Sequence, residues 1–125
     1  LINLERPLAA NARLGGHFVT GHVDTRSKVE VFEQRGKNVY LKVAVPEEFA
    51  NYVVYKGSVA IDGISLTIAE AHKDSLAVWL IPHTLEVTNL SDCKAGKLVD
   101  LEFDILAKYV EKIATGNREK SPYQP

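Results

Sequence analysis

The chain has 125 residues with 15 basic and 16 acidic side chains, a formal net charge of −1. It fits one domain and lacks the charge excess that drives nucleic-acid binding. No run of about 18 apolar residues is present, which argues against a transmembrane helix, and no basic-then-apolar opening marks a secretory signal. Alternation with the period of a strand dominates from Val29 onward. Val29, Val31 and Phe32 start a first strand, and Gln34 to Asn38 reads as a hairpin turn. Val39, Leu41, Val43 and Val45 alternate with Tyr40, Lys42 and Ala44, predicting a half-buried strand. Pro46-Glu47-Glu48 opens a short helix that should run to about Tyr55 and stop near Gly57. Ser58 to Ile61 is a short strand, and Asp62-Gly63 a turn signal. Ile64, Leu66 and Ile68 then alternate with Ser65 and Thr67.

After a turn at His72 to Ser75, Leu76 to Ile81 reads as a strand buried on both faces, ended by Pro82. Thr84 to Leu90 looks like a helical turn that Thr84 would cap. Leu98 to Asp104 is a last strand, with Val99, Leu101 and Phe103 on one side and Asp100, Glu102 and Asp104 on the other. Leu106, Tyr109, Val110 and Ile113 have helical spacing. The result is an all-β chain, expected to be a six-stranded Greek-key β-barrel with short helices and a C-terminal helix; a β-sandwich is the alternative. Cys93, the lone cysteine, reads as a reduced thiol in a turn of a cytoplasmic protein.

Leu1 to Glu5 (LINLE) and Leu98 to Glu102 (LVDLE) agree at three of five positions. With no methionine anywhere in the chain, this suggests the second half of a tandem duplication. The expected division is 1–8 as the end of a preceding barrel or linker, 9–104 as the barrel, 105–114 as an oligomerisation helix and 115–125 as a loose polar tail.

Three segments carry unusual residues. Leu14 to Asp24 places Gly15, Gly16 and Gly21 in or near an expected strand, where glycine often marks a close approach. His17 and His22, five apart, would face opposite sides of that strand, which disfavours shared metal ligation; Asp24 could act with His22. Lys56 to Thr67 sets the hydroxyls of Ser65 and Thr67 on one strand face, suited to the amide-rich edge of a planar heterocycle or to solvent. Ile81-Pro82-His83-Thr84 joins a buried strand to a helix, and Asp104 stands at a helix start.

Leu4-Glu5-Arg6, Gly15 to Asp24, Lys56 to Thr67 and Leu80 to Glu86, in that order, resemble the riboflavin synthase family of the α-subunit type. Residues 1–113 look like its C-terminal half. The resemblance implies two similar six-stranded barrels and a C-terminal helix that drives a homotrimer. It implies dismutation of two 6,7-dimethyl-8-ribityllumazine molecules into riboflavin and 5-amino-6-(ribitylamino)uracil, with no cofactor and no metal. Each site would lie between this barrel and the N-terminal barrel of a neighbouring subunit. The substrate contacts it implies are Gly21, His22, Val23, Lys56, Ser65, Leu66 and Thr67, with Trp79, Leu80, Ile81, Pro82, His83 and Thr84. His22 and Ser65 are the implied catalytic pair, and Asp104 matches an acidic position near the site. Such types suit proton removal from an acidic methyl group and stabilisation of charge building on the ring.

Two departures stand out: Thr25 occupies a position where many relatives have glycine, and the N-terminal barrel is absent. A non-catalytic lumazine- or flavin-binding relative is the competing reading. It would be marked by loss of polar pocket residues, whereas His22, Lys56, Ser65 and Thr67 are all present. An unrelated flavin reductase barrel would need a phosphate-binding arginine motif, which is not recognisable.

Overall fold

The alternating sequence closes on itself. In a computed structural model, which describes residues 1–116, six strands form: β1 (Thr25–Arg35), β2 (Asn38–Ala44), β3 (Ser58–Ile61), β4 (Ile64–Ala71), β5 (Ser75–Leu80) and β6 (Leu98–Phe103). They join in the order β1-β2-β5-β4-β3-β6 as a closed barrel with antiparallel neighbours. The barrel expectation therefore holds, and the sandwich does not. Closure removes the exposed edges that an open sheet would leave.

Side chains alternate in and out around the ring. Val29, Leu41, Val43, Val59, Ile61, Ile68, Leu76, Val78, Leu80, Leu101 and Phe103 point inward, each at most 1% exposed. They fill the interior, as small barrels require. The two-residue turns follow local chemistry. Asp62 and Gly63 both have positive φ, 49° and 80°, the pairing a type I′ hairpin demands and the reason for Asp-Gly there. Asp62 adds a long-range tie, its Oδ1 accepting from the Asp100 N–H at 2.8 Å.

Several local expectations shift. The segment after Pro46 is a 3-10 helix, Glu47–Tyr52, shorter than the helix expected to run to about Tyr55. β1 starts at Thr25 rather than near Val29, and an irregularity in its pairing with β2 falls between Val29 and Val31. β5 ends at Leu80, with Trp79 and Ile81 exposed, so that strand is not buried throughout. Helix α1 (Pro82–Val87) has Ile81 at its N-cap with no side-chain cap; Thr84 lies inside the helix, and its carbonyl accepts from Thr88 Oγ1 at 2.6 Å. A second 3-10 helix, Asn89–Asp92, follows. Cys93 is buried, and burial pushes its thiol pKa up, which fits a packing role rather than a nucleophile.

Helix α2 (Ile105–Thr115) is N-capped by Asp104, whose Oδ1 accepts from the Leu106 N–H at 3.0 Å. It docks on the barrel through Lys108 Nζ to Asp24 Oδ2 at 2.8 Å and through the Tyr52 phenol to Glu111. Phe49 stacks on Phe103 beneath it, with centroids 5.2 Å apart. Leu106, Tyr109, Val110 and Ile113 remain exposed. The expected tail beyond Gly116 lies outside the described residues. Residues 1–5 form no strand, and Leu1, Ile2 and Leu4 are exposed, while Asn3 ties this segment to Asp62 and Asn89.

Core and cap should separate in urea titrations: Leu101→Ala is expected to cost about 2–5 kcal/mol, and Asp104→Ala about 1 kcal/mol.

Candidate functional site

Because the interior is filled, a ligand must bind on the outer wall. Cross-strand partners share a face, so the pairs Ala60↔Ser65 and Ala60↔Glu102 define one outward row across β4, β3 and β6. Ser58↔Thr67 begins the next. The segment His17 to Gly21 crosses the first row as a strap. At one end His17 Nδ1 lies 2.7 Å from Ser65 Oγ. At the other, the Glu102 carboxylate accepts from the N–H groups of Thr20 and Gly21, both at 2.8 Å, and from Thr20 Oγ1 at 3.1 Å. Ala60, between them, is 1% exposed, its small side chain covered. Gly16 touches down beside Ser65: a Cβ there would stand 2.6 Å from the serine oxygen.

The strand expected in or near this glycine-rich segment does not form before Thr25. Instead, the strap spends backbone donors on a buried carboxylate, and a charged acceptor makes such bonds strong. Asp24 does not pair with His22. Its Oδ2 accepts from the Phe103 N–H at 2.8 Å and meets Lys108. His22 and Val23 are exposed, and His22 makes no hydrogen bond among the described residues. Among those residues no group of three His, Cys, Asp or Glu side chains could hold a metal ion.

A second feature lies between β4 and β5. Their pairing starts at Ile68↔Val78 and runs to Ala71↔Leu76. Extended the other way, that register would set Thr67 opposite Trp79 and Leu66 opposite Leu80, yet no pair forms there among the described residues. Ile68 donates its N–H to the Gly57 carbonyl and its own carbonyl accepts from the Lys56 N–H, both beside β3. Alternation then turns the N–H and C=O of Thr67 toward β5. The strands part where Ser65 and Thr67 offer exposed hydroxyls on one bank and Trp79 and Ile81 offer exposed apolar surface on the other.

Trp79 is held from behind. It meets Tyr40 edge-on at 5.3 Å, and the Arg35 guanidinium lies 4.0 Å over the Tyr40 ring. Burial and the neighbouring Glu70 raise the Tyr40 pKa. Lys56 sits beside Ile68 with φ of 61°, a left-handed conformation that costs a lysine about 1–2 kcal/mol. Its ammonium is 5.6 Å from the Tyr55 ring centroid.

The opening thus gathers Ser65, Thr67, Trp79 and Ile81, with Lys56 at its β3 side. Leu66 packs against the core and Leu80 is buried in it, so Leu80 can offer a ligand only main chain. Pro82 and His83 are exposed at the start of α1, and Thr84 is half-buried. Asp104 spends one oxygen on capping. A cleft of about 620 Å³ is lined by residues 5–8 and 14–21 with Gly63 and Ser65; Gly21 and Ser65 are the predicted contacts it takes in. Sequence reasoning put Glu102 on the side of β6 opposite Val99, Leu101 and Phe103, with no sign of what covers it. It is buried, and nothing in the alternation could disclose a carboxylate paid back by a distant loop.

Residues 20–104 match the family model described as "Lumazine binding domain". Over 120 residues the chain is 42% identical to riboflavin synthase of Photobacterium leiognathi, covering 96% of this chain and 55% of that protein. Over 123 residues it is 37% identical to riboflavin synthase of Bacillus subtilis (strain 168), covering 98% and 57%. The chain thus spans about half the length of these relatives. Among solved structures, LumP complexed with riboflavin superimposes with a TM-score of 0.69 at 19% identity, covering 74% of this chain and 50% of that one. LumP complexed with 6,7-dimethyl-8-(1'-D-ribityl) lumazine gives 0.67 at 19%, covering 72% and 51%. At that identity the likeness is one of fold.

Removing the strap's anchor should loosen it alone. In Glu102→Ala, amide hydrogen exchange at Thr20 and Gly21 is expected to quicken about tenfold or more, with the inner strands' amides unchanged. Unchanged protection at both would mean the carboxylate does not hold the strap.

Proposed function

Because this chain belongs to the lumazine-binding domain family, we propose that it is the C-terminal barrel of a riboflavin synthase. In that reading it holds one of two 6,7-dimethyl-8-ribityllumazine molecules during their dismutation. The observation that supports it most is the parting of β4 from β5. There the exposed hydroxyls of Ser65 and Thr67 match the amide-rich edge of a planar heterocycle, and Trp79 and Ile81 match its apolar edge.

The chemistry then divides among these groups. One lumazine loses a proton from its acidic methyl group; His22, exposed and free of hydrogen bonds among the described residues, is the base assigned to it. Charge that builds on the ring meets Ser65 and Thr67. A four-carbon unit passes to the second lumazine, leaving riboflavin and 5-amino-6-(ribitylamino)uracil. Gly21 and Val23 border the base, Lys56 the β3 side, and Pro82, His83 and Thr84 the far end. Asp104 has one oxygen left for the site after capping α2. No cofactor enters. Juxtaposing two large substrates supplies an entropic gain of up to several kcal/mol.

The partner pocket is assigned to the N-terminal barrel of a neighbouring subunit, residues 1–8 being the end of this chain's own preceding barrel. The exposed stripe Leu106, Tyr109, Val110 and Ile113 is assigned to a homotrimer, and the protein to the cytoplasm. Among the described residues no helix is long and apolar enough to cross a membrane.

With this chain as the only protein, purified 6,7-dimethyl-8-ribityllumazine is expected to bind, seen by its fluorescence, yet to yield no riboflavin above background. Adding a separately made N-terminal barrel should start turnover. Turnover by this chain alone would overturn the need for the missing half; binding without turnover in the mixture would favour a relative that only holds the fluorophore. Sedimentation of a chain truncated after Asp104 should show a smaller oligomer than the intact protein, and an unchanged one would remove the role given to α2.

A further inference from the structure

His17 makes a contact that the reaction scheme does not use. Its Nδ1 lies 2.7 Å from Ser65 Oγ, and its Nε2 is buried without a hydrogen-bond partner among the described residues. In a neutral imidazole one nitrogen donates and the other accepts. If Nε2 carried the hydrogen, a buried donor would be left unmade, and such donors are costly. If Nδ1 carries it, the buried atom is a bare acceptor, the cheaper omission. The Nδ1–H then donates to Ser65 Oγ.

We propose that His17 is a positioning residue that holds Ser65 as a hydrogen-bond donor toward the ligand. With its oxygen already accepting from His17, the serine must send its own O–H elsewhere, and Ser65 is exposed on the wall beside the β4–β5 opening. The ligand group it would meet is an electronegative ring atom that gains charge in the reaction. The geometry is built in at both ends. Gly16 allows the approach, because a Cβ would collide with the serine oxygen. Glu102 pins Thr20 and Gly21 and so fixes the strap that carries the histidine. This inference rests on Ser65 being a ligand contact, but the proton's location does not.

Imidazole ¹⁵N NMR of the unaltered chain at about pH 8, above the ordinary histidine range, tests that location first. The neutral Nδ1–H tautomer is expected for His17, moving toward the other tautomer in Ser65→Ala. The Nε2–H tautomer in the unaltered chain would overturn the proposal. Binding of 6,7-dimethyl-8-ribityllumazine then tests the role. His17→Asn keeps a donor near the Nδ1 position and should bind within about twofold of the parent, whereas His17→Gln and His17→Leu should raise Kd about five- to tenfold. Equal weakening by Asn and Leu would reduce the histidine to a filler of space and sink the idea. Absence of any lumazine binding by the parent chain would overturn the functional reading instead, and the NMR result would still decide the tautomer.

Discussion

Closure of the ring is the constraint from which the rest follows. Six strands of this length enclose only enough room for their own inward side chains. Val59, Ile61, Leu101 and Phe103 from one side and Leu41, Leu76, Val78 and Leu80 from the other occupy that room fully. A barrel filled in this way cannot carry a ligand inside, so its function must sit on the outer wall, where alternation places Ser65, Thr67 and Trp79.

The outer wall is organised by two carboxylates that serve backbone donors. Glu102 gathers the strap's N–H groups, and Asp24 takes the Phe103 N–H while pairing with Lys108 of α2. Burying a carboxylate is costly unless it is paired and hydrogen-bonded. Glu102 is hydrogen-bonded by three neutral donors of the strap, Asp24 is both hydrogen-bonded and paired with Lys108, and each joins an element from the start of the chain to one near its end. The strap, β6 and α2 are consequently one mechanical unit, which places a flexible-looking glycine-rich segment in a defined position over Ala60 and against Ser65.

The exposed apolar groups have a pattern of their own. Leu1, Ile2 and Leu4, the outer bank of Trp79 and Ile81, and the α2 stripe are all open in this single chain. The chain spans about half of its curated relatives, and a barrel with unspent apolar surface at both termini and beside its polar opening is suited to act with further protein surface.

The sequence by itself determined the ring. Alternation and short apolar runs located six strands, Asp-Gly located the β3–β4 turn, and Val99, Leu101 and Phe103 were placed together on one face, because the two faces of a strand obey a period that one segment displays alone. The quoted motifs also pointed to the family. What the sequence could not determine were the contacts between segments far apart in the chain. The glycines of residues 14–24 read as marks of a close approach in or near a strand, a local rule; only the folded chain shows the segment's donors going to Glu102, 81 and 82 positions away. Thr84 read as a cap because a threonine near a helix start often is one, whereas the backbone put Ile81 there. The parting of β4 from β5 and the meeting of His17 with Ser65 were decided by tertiary structure for the same reason: a register gap and a 48-residue contact depend on where closure carries each strand.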